Sequence, residues 1–131
     1  MAKITGLGGF FFRTADPDAT ARWFTDMLDL PTKSWGRMFP WRDHEHPEQT
    51  GATVMGLHGE TSSYFEPSKR EFMLNLIVDD LDGVLAELRA RGVEIIKVMD
   101  PDPYGRFAHV MGPDGIKLEL WQPAPDEPEG A

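Results

Sequence analysis

GGFFFRTADPDATARWFTDMLDL, residues 8–30, and FMLNLIVDDLDGVLAELRARGV, residues 72–93, carry the same pattern twice. Each stretch has an apolar run, an acidic residue at a helix start, an amphipathic helix and a break. Shifting the first by about 64 residues places Asp16 on Asp80. A single strand–helix unit cannot bury its apolar sheet face. The repeat therefore predicts two similar modules that pack together and enclose a shared cleft.

The composition indicates one folded domain and excludes several functional classes. At 131 residues, with 40% hydrophobic and 11% aromatic residues, the chain can bury a proper core. Its net charge of −9 disfavours binding to nucleic acid or to an anionic membrane. The absence of cysteine excludes disulfides, zinc–thiolate sites and thiol nucleophiles. Without a leader peptide or membrane-spanning apolar run, we expect a cytoplasmic protein.

The first module begins with a predicted strand from Ile4 to Thr14. Asp16 is an expected N-cap and Pro17 suits the first helical position, where its missing N–H costs nothing. Short strands separated by loops are expected within residues 34–58, followed by a connector, GETSSYFEPSKRE, at residues 59–71. The helix has apolar residues at 3–4 spacing: Ala21, Trp23, Phe24, Met27 and Leu28.

The second module repeats this order with clearer signals. A strand at residues 72–78 is followed by a helix that Asp79 and Asp80 cap and that Gly92 ends. The buried helical stripe is predicted to contain Leu81, Val84, Leu85 and Leu88. Strands are expected at residues 93–98, 106–111 and 116–121, the last two joined by a GPDG turn.

Each module is thus expected to run strand, helix, strand, strand, strand. We predict a single domain over residues 1–125, with modules at about 4–64 and 70–122. Residues 123–131, rich in Pro and acidic residues, are expected to form a flexible tail.

This doubled order resembles the vicinal oxygen chelate superfamily, which includes glyoxalase I, bleomycin-resistance proteins and extradiol dioxygenases. The similarity lies in FFRTADPDATARWFTDMLDL (11–30), LIVDDLDGVLAELRARGVEI (76–95) and GRFAHVMGPDGIKLELWQP (105–123). It implies an α+β fold of two βαβββ modules. Their strands would form a curved mixed sheet, as open half-barrels around a cleft, with the helices outside. It also implies a homodimer.

The resemblance further implies a divalent metal held by His, Gln or Glu side chains on the strands. The matching positions here are Gly9, Met73, Glu119 and a residue near Met55. Glycine has no side chain and a thioether is a poor ligand for a hard cation. We therefore predict no cofactor. Fe, Mn, Ni or Zn bound by Glu119 with other ligands is the alternative.

The four histidines are other side chains that could bind a divalent metal. His44 and His46 lie in a predicted loop, where solvated histidines are common, and His58 is expected to be a surface or hydrogen-bonded residue. His109 interrupts an apolar strand. Whether it shares a face with Glu119 depends on the turn length, because a one-residue slip exchanges the two faces of a strand.

Alternation along the strands predicts which side chains line the cleft. Phe11, Arg13, Met73, Asn75, Ile77, Lys117, Glu119 and Trp121 are expected to face inwards, with Phe10, Phe12, Leu74, Leu76 and Val78 under the helices. Two interpretations of Arg13 and Glu119 remain open. They form an ion pair, or Arg13 anchors a substrate carboxylate while Glu119 acts as a base.

The predicted site combines apolar residues with a few polar groups, as small-molecule sites do. Glu119 and His109 are the candidate catalytic residues. Candidate binding residues are Phe11, Arg13, Trp35, Met73, Asn75, Tyr104, Arg106 and Trp121. The favoured function is metal-free binding of a small organic molecule. The alternative is a metal-dependent lyase, isomerase or dioxygenase that uses Glu119.

Overall fold

A computed structural model describes residues 2–125 of the chain. The first module contains β1 (Ile4–Thr14), α1 (Pro17–Leu28), β2 (Gly36–Arg42) and β3 (Thr50–Gly59). The second contains β4 (Phe72–Val78), α2 (Leu81–Ala90), β5 (Ile95–Val98), β6 (Gly105–Met111) and β7 (Lys117–Pro123), with a 3-10 turn at Pro113–Gly115 between β6 and β7.

The strands form one mixed sheet in the order β2-β3-β1-β4-β7-β6-β5, with open edges. In each module the first strand runs parallel to the last one, β1 with β3 and β4 with β7. The α+β fold of two modules is therefore confirmed. One detail differs: over residues 2–125 the first module has two strands after its helix, and β5 has no counterpart. Only seven residues, 29–35, lie between α1 and β2, and Pro31 is among them.

The internal repeat is visible in the pairing between modules. β1 and β4 are antiparallel, with Gly9 opposite Asn75 and Phe11 opposite Met73. The offset of about 64 residues relates Gly9 to Met73 and Phe11 to Asn75, so the first pair is equivalent to the second. The two modules are thus related by an approximate two-fold axis between β1 and β4, and the cleft lies across that axis.

The predicted helix signals are present. Asp16 accepts a hydrogen bond from Ala19 N and Asp80 accepts one from Gly83 N. Gly92, at φ +81°, adopts the left-handed conformation expected after α2. α2 packs on the sheet through the predicted stripe, and the main core joins residues of both layers: Val78, Leu81, Val84, Leu85, Ala108, Val110 and Leu120.

The predicted stripe of α1 is only partly covered. Ala21 is buried and Phe24 half-buried, but Trp23, Met27 and Leu28 are exposed. Phe10 also remains 41% exposed, although it lies on the helix side of the sheet. The first module therefore presents more apolar surface than its sequence pattern predicts.

The C-terminal end of the sheet extends beyond its predicted bound. β7 includes Pro123, and Ala124 N donates to Tyr104 O. Residues 126–131 of the expected tail lie outside the described part of the chain. No helix within residues 2–125 is long and apolar enough to cross a membrane.

Candidate functional site

Glu119 lies at the centre of the cleft face of β7. It is 2% exposed and accepts hydrogen bonds from three side chains. Asn75 Nδ2 donates to Oε1 at 2.6 Å, His109 Nε2 lies 2.8 Å from Oε2, and the Tyr64 hydroxyl also donates to Oε2. A buried carboxylate requires such donors because it has lost its water.

The strand register explains how these groups meet. β4 and β7 pair Asn75 with Glu119, and the β6–β7 hairpin pairs Glu119 with His109. Directly paired residues point to the same side of a sheet. The open question about His109 is therefore answered: it shares the face of Glu119 and contacts it.

Tyr64 and Phe65 belong to the connector at residues 59–71, which the sequence pattern predicts only as a link between the modules. Instead, the connector turns into the cleft, where Phe65 is fully buried against Phe11 and Met73. The Tyr64 ring stacks on His58 at 5.2 Å between centroids and meets His109 edge-on. Burial, and next the charge of Glu119, raise the pKa of Tyr64.

Two cations hold the connector in place. Lys117 Nζ donates to the carbonyl oxygens of Tyr64 at 2.7 Å and Glu66 at 2.8 Å, and burial lowers its pKa. Arg13 donates to Ser62 O at 3.1 Å and its guanidinium lies 5.0 Å from the Phe65 ring centroid. The interpretation that Arg13 pairs with Glu119 is therefore wrong.

The rest of the cleft is an open cavity of about 410 Å³ beside Glu119. Five aromatic side chains contribute to its wall, and Glu119 and Asn75 supply polar atoms. The lining residues are Gly8, Phe11, Trp35, Met38, Val54, Asn75, Tyr104, Phe107, Glu119 and Trp121. The Phe107 and Trp121 rings stack in parallel at 5.9 Å.

The structure brings most predicted site residues together. Six of them line the cavity: Phe11, Trp35, Asn75, Tyr104, Glu119 and Trp121. His109 is outside the lining and contacts Glu119 Oε2. Met73 is on the predicted face but is fully covered by Phe65.

Arg106 lies elsewhere than expected. Arg106 forms an ion pair with Asp82 of α2 at 2.9 Å, on the helix side of the sheet, because alternation places it opposite to Phe107. His58 is half-buried beside Tyr64 in the cleft, and burial lowers its pKa. His44 and His46 are in the predicted loop, where His46 lies 3.7 Å from Glu48.

Sequence reasoning missed four residues of the cavity lining: Gly8, Met38, Val54 and Phe107. Phe107 precedes His109 by two residues, so alternation along β6 could have placed it in the cleft. The aromatic pair Tyr64-Phe65 within an otherwise polar connector was the available signal for a segment with a buried anchor.

The family-type metal positions do not suit a divalent cation. Phe11 and Asn75 are equivalent positions of the two modules. Phe11 pairs with Gly56 and Asn75 pairs with Glu119, so Gly56 is the counterpart of Glu119, one residue beyond the expected Met55. A Cβ at Gly9 or Gly56 would lie 2.8 or 2.6 Å from Phe11 ring atoms, so this ring fills the space that ligands would need. Within residues 2–125, no three His, Asp or Glu side chains converge as a metal site.

The comparisons with known proteins agree with this architecture. A search of curated proteins finds no match. Among solved structures, methylmalonyl-CoA epimerase from Mycobacterium tuberculosis is 22% identical with a TM-score of 0.60, covering 93% of this chain and 90% of its own. A Streptomyces coelicolor methylmalonyl-CoA epimerase with 2-nitronate-propionyl-CoA is 17% identical with a TM-score of 0.68, covering 93% and 99%. These likenesses show the fold.

The family model gives more than the fold. The model described as "Glyoxalase/Bleomycin resistance protein/Dioxygenase superfamily" matches residues 6–120, from β1 to β7. The match therefore includes both modules, the connector and every residue of the Glu119 cluster. The chain belongs to the glyoxalase/bleomycin resistance protein/dioxygenase superfamily.

Proposed function

We propose that this protein binds a small, flat organic molecule in the Glu119 cavity, without a divalent metal. The observation that carries the proposal is the cavity itself. Its volume of about 410 Å³ suits a small ligand, and its walls are rings with one buried carboxylate and one amide. Flat ligands stack favourably on such rings.

The proposal without a metal rests on donor chemistry. Of the four positions implied by the superfamily, Gly9, Gly56 and Met73 offer no oxygen or nitrogen side-chain donor, and Glu119 is already bonded to three donors. One carboxylate holds a divalent ion poorly. Elemental analysis of purified protein before and after dialysis tests this: stoichiometric Fe, Mn, Ni or Zn that resists dialysis would overturn it.

Native mass spectrometry of freshly purified protein tests ligand binding directly, since a co-purified compound would be released on unfolding. Two tryptophans provide a matched pair of variants. Trp35 lines the cavity and is 49% exposed, whereas Trp23 on α1 is 53% exposed and lies outside the lining. We expect Trp35→Leu to weaken retention of the compound roughly tenfold and Trp23→Leu to leave it unchanged. Equal effects would count against this cavity.

A second candidate is an isomerase or lyase in which Glu119 removes a proton from the substrate and His109 positions the Glu119 carboxylate. The contact between His109 and Glu119 beside the cavity favours it. The structural likeness to methylmalonyl-CoA epimerases suggests the substrate to try. Exchange of the methine proton of methylmalonyl-CoA in D₂O, lost in Glu119→Gln, would establish this function in place of binding alone.

Members of the superfamily bind small-molecule substrates and often act as dimers. We propose a homodimer here as well, because Trp23, Met27 and Leu28 of α1 present exposed apolar surface. Light scattering should give twice the chain mass of 14.7 kDa, and a species of 14.7 kDa alone would contradict it.

A further inference from the structure

The charge of the cavity lining indicates which ligands it accepts. Within residues 2–125, Glu119 is the one charged side chain in the lining, and no Lys, Arg or His contributes to it. We propose that the ligand is an organic cation with N–H donors on a flat framework. This inference rests on the proposed function above and names the ligand class for the same cavity.

The nearby cations are directed away from the cavity. Lys117 is two residues from Glu119 on the same strand face, but both of its close contacts are carbonyl oxygens of the connector. Arg13 lies 5.0 Å from the Phe65 ring centroid, donates to Ser62 O and does not line the cavity. Both positive groups are thus bonded to the connector, and neither lines the open cavity. An anionic ligand would meet the Glu119 carboxylate without any cation in the cavity lining to bind it.

Asn75 provides a second, independent observation. Its amide is 2% exposed, and its Nδ2 must point to Glu119 because a carboxylate only accepts. The other amide atom, Oδ1, is buried beside Gly8 and has no hydrogen-bond partner among the described residues. An orphan buried acceptor is costly. A ligand that brings an N–H donor to this end of the cavity would satisfy it.

The aromatic walls complete the recognition of a cation. Phe11, Trp35, Phe107 and Trp121 present ring faces and edges, and ring faces attract ammonium and amidinium groups. The net charge of −9 adds long-range attraction for a cation during encounter. Aromatic walls, one carboxylate and an unpaired acceptor together match an amidinium or ammonium group attached to a flat ring.

Three naphthalene derivatives of nearly equal shape test the inference by calorimetry: naphthamidine, which is cationic, naphthamide, which is neutral, and naphthoate, which is anionic. We expect naphthamidine to bind at least about tenfold more tightly than naphthamide, and naphthoate not to bind. The preference for naphthamidine should fall as salt is added, because salt screens charge.

A charge variant at the exposed rim avoids disturbing the buried cluster. Trp35→Lys and Trp35→Leu both remove the indole, but only the first adds a cation. We expect Trp35→Lys to weaken naphthamidine binding about tenfold more than Trp35→Leu does, with no such difference for naphthamide. Trp23→Lys, which changes the total charge equally on α1, should leave naphthamidine binding within about twofold of wild type.

The possible outcomes separate the two proposals. If naphthamide or naphthoate binds as tightly as naphthamidine, and Trp35→Leu weakens that binding, the cation preference is wrong while the cavity remains a binding site. If none of the three compounds binds, both the cavity and its preference are overturned. Tight naphthamidine binding that Trp35→Lys and Trp35→Leu weaken equally also overturns the preference.

Discussion

His109 Nε2 lies 2.8 Å from Glu119 Oε2, and the β6–β7 hairpin pairs the two residues directly. Both side chains are almost fully buried, with exposures of 4% and 2%. The pair is therefore the buried polar centre of the cleft, held between the aromatic cavity and the connector. Several measurable properties depend on it.

Removing His109 should destabilise the fold. His109→Leu takes away one of three donors to a buried carboxylate, and we expect a loss of about 1–3 kcal/mol in the free energy of unfolding, measured in urea. His46→Leu, in the exposed loop, should change it by less than about 0.5 kcal/mol. Combining His109→Leu with Glu119→Gln should recover part of the loss, and a fully additive double variant would contradict this account.

Tyr64 should resist ionisation while the protein is folded. Burial and the charge of Glu119 raise its pKa, so the folded state holds the phenol proton more tightly than the unfolded chain does. The resulting stability is present below the ordinary tyrosine pKa of about 10 and is lost as pH rises above it.

The sequence has two tyrosines, Tyr64 and Tyr104, so the Tyr104→Phe variant retains Tyr64 alone. The ultraviolet absorbance of tyrosinate in this variant then reports on Tyr64. We expect tyrosinate to appear only together with unfolding. Reversible formation of tyrosinate near pH 10, with the circular dichroism of the fold intact, would show that Tyr64 is not buried against Glu119.

His58 should make the protein sensitive to acid. Burial lowers the pKa of His58, so the unfolded chain takes up a proton near pH 6.5 that the folded state resists. Its contribution to stability is present above about pH 6.5 and is lost as pH falls below it. His58→Phe keeps a ring against Tyr64 but cannot titrate.

The free energy of unfolding of wild type and His58→Phe, measured between pH 8 and pH 5, tests this point. We expect the wild type to lose more stability than the variant over this range. Identical slopes for the two proteins would mean that His58 is solvated in the folded state.

Gly8 should not tolerate a side chain. A Cβ at this position would overlap Asn75 Oδ1 and would also lie 3.0 Å from both Ile77 and Trp121. We expect Gly8→Ala to cost about 1–3 kcal/mol in unfolding free energy, because overpacking displaces several side chains. Gly59→Ala is the matched control, since no heavy atom lies within 4 Å of its Cβ. Similar losses for both variants would contradict the close packing of Gly8 on Asn75.

The connector shows why part of the site was not predictable. Alternation correctly assigned Phe11, Asn75, Glu119 and Trp121 to one face, since pleating is a property of each strand. It cannot say what covers that face. Tyr64 reaches Glu119 from 55 residues away, because Lys117 and Arg13 bind connector carbonyl groups. Such contacts depend on the folded path of the whole chain.

The pairing of Arg13 with Glu119, one of the two interpretations that the sequence left open, is wrong for a related reason. Both residues are on the predicted face, and a shared face was taken as proximity. In the folded chain Arg13 contacts Phe65 and donates to Ser62 O, whereas Glu119 contacts Asn75. Arg106 was predicted to lie in the cleft together with its neighbour Tyr104. Alternation along β6 places Phe107 in the cleft and therefore Arg106 on the helix side.

From its amino acids alone, this chain determined the duplicated modules, both capped helices and the side of β1, β4 and β7 that faces the cleft. These features depend on local spacing and on a repeat of about 64 residues. Tertiary structure alone decided the contact between His109 and Glu119, the covering of Met73 by Phe65 and the isolation of the cavity from Lys117 and Arg13. The physical reason is that register, turn length and connector path bring together groups that no local pattern relates.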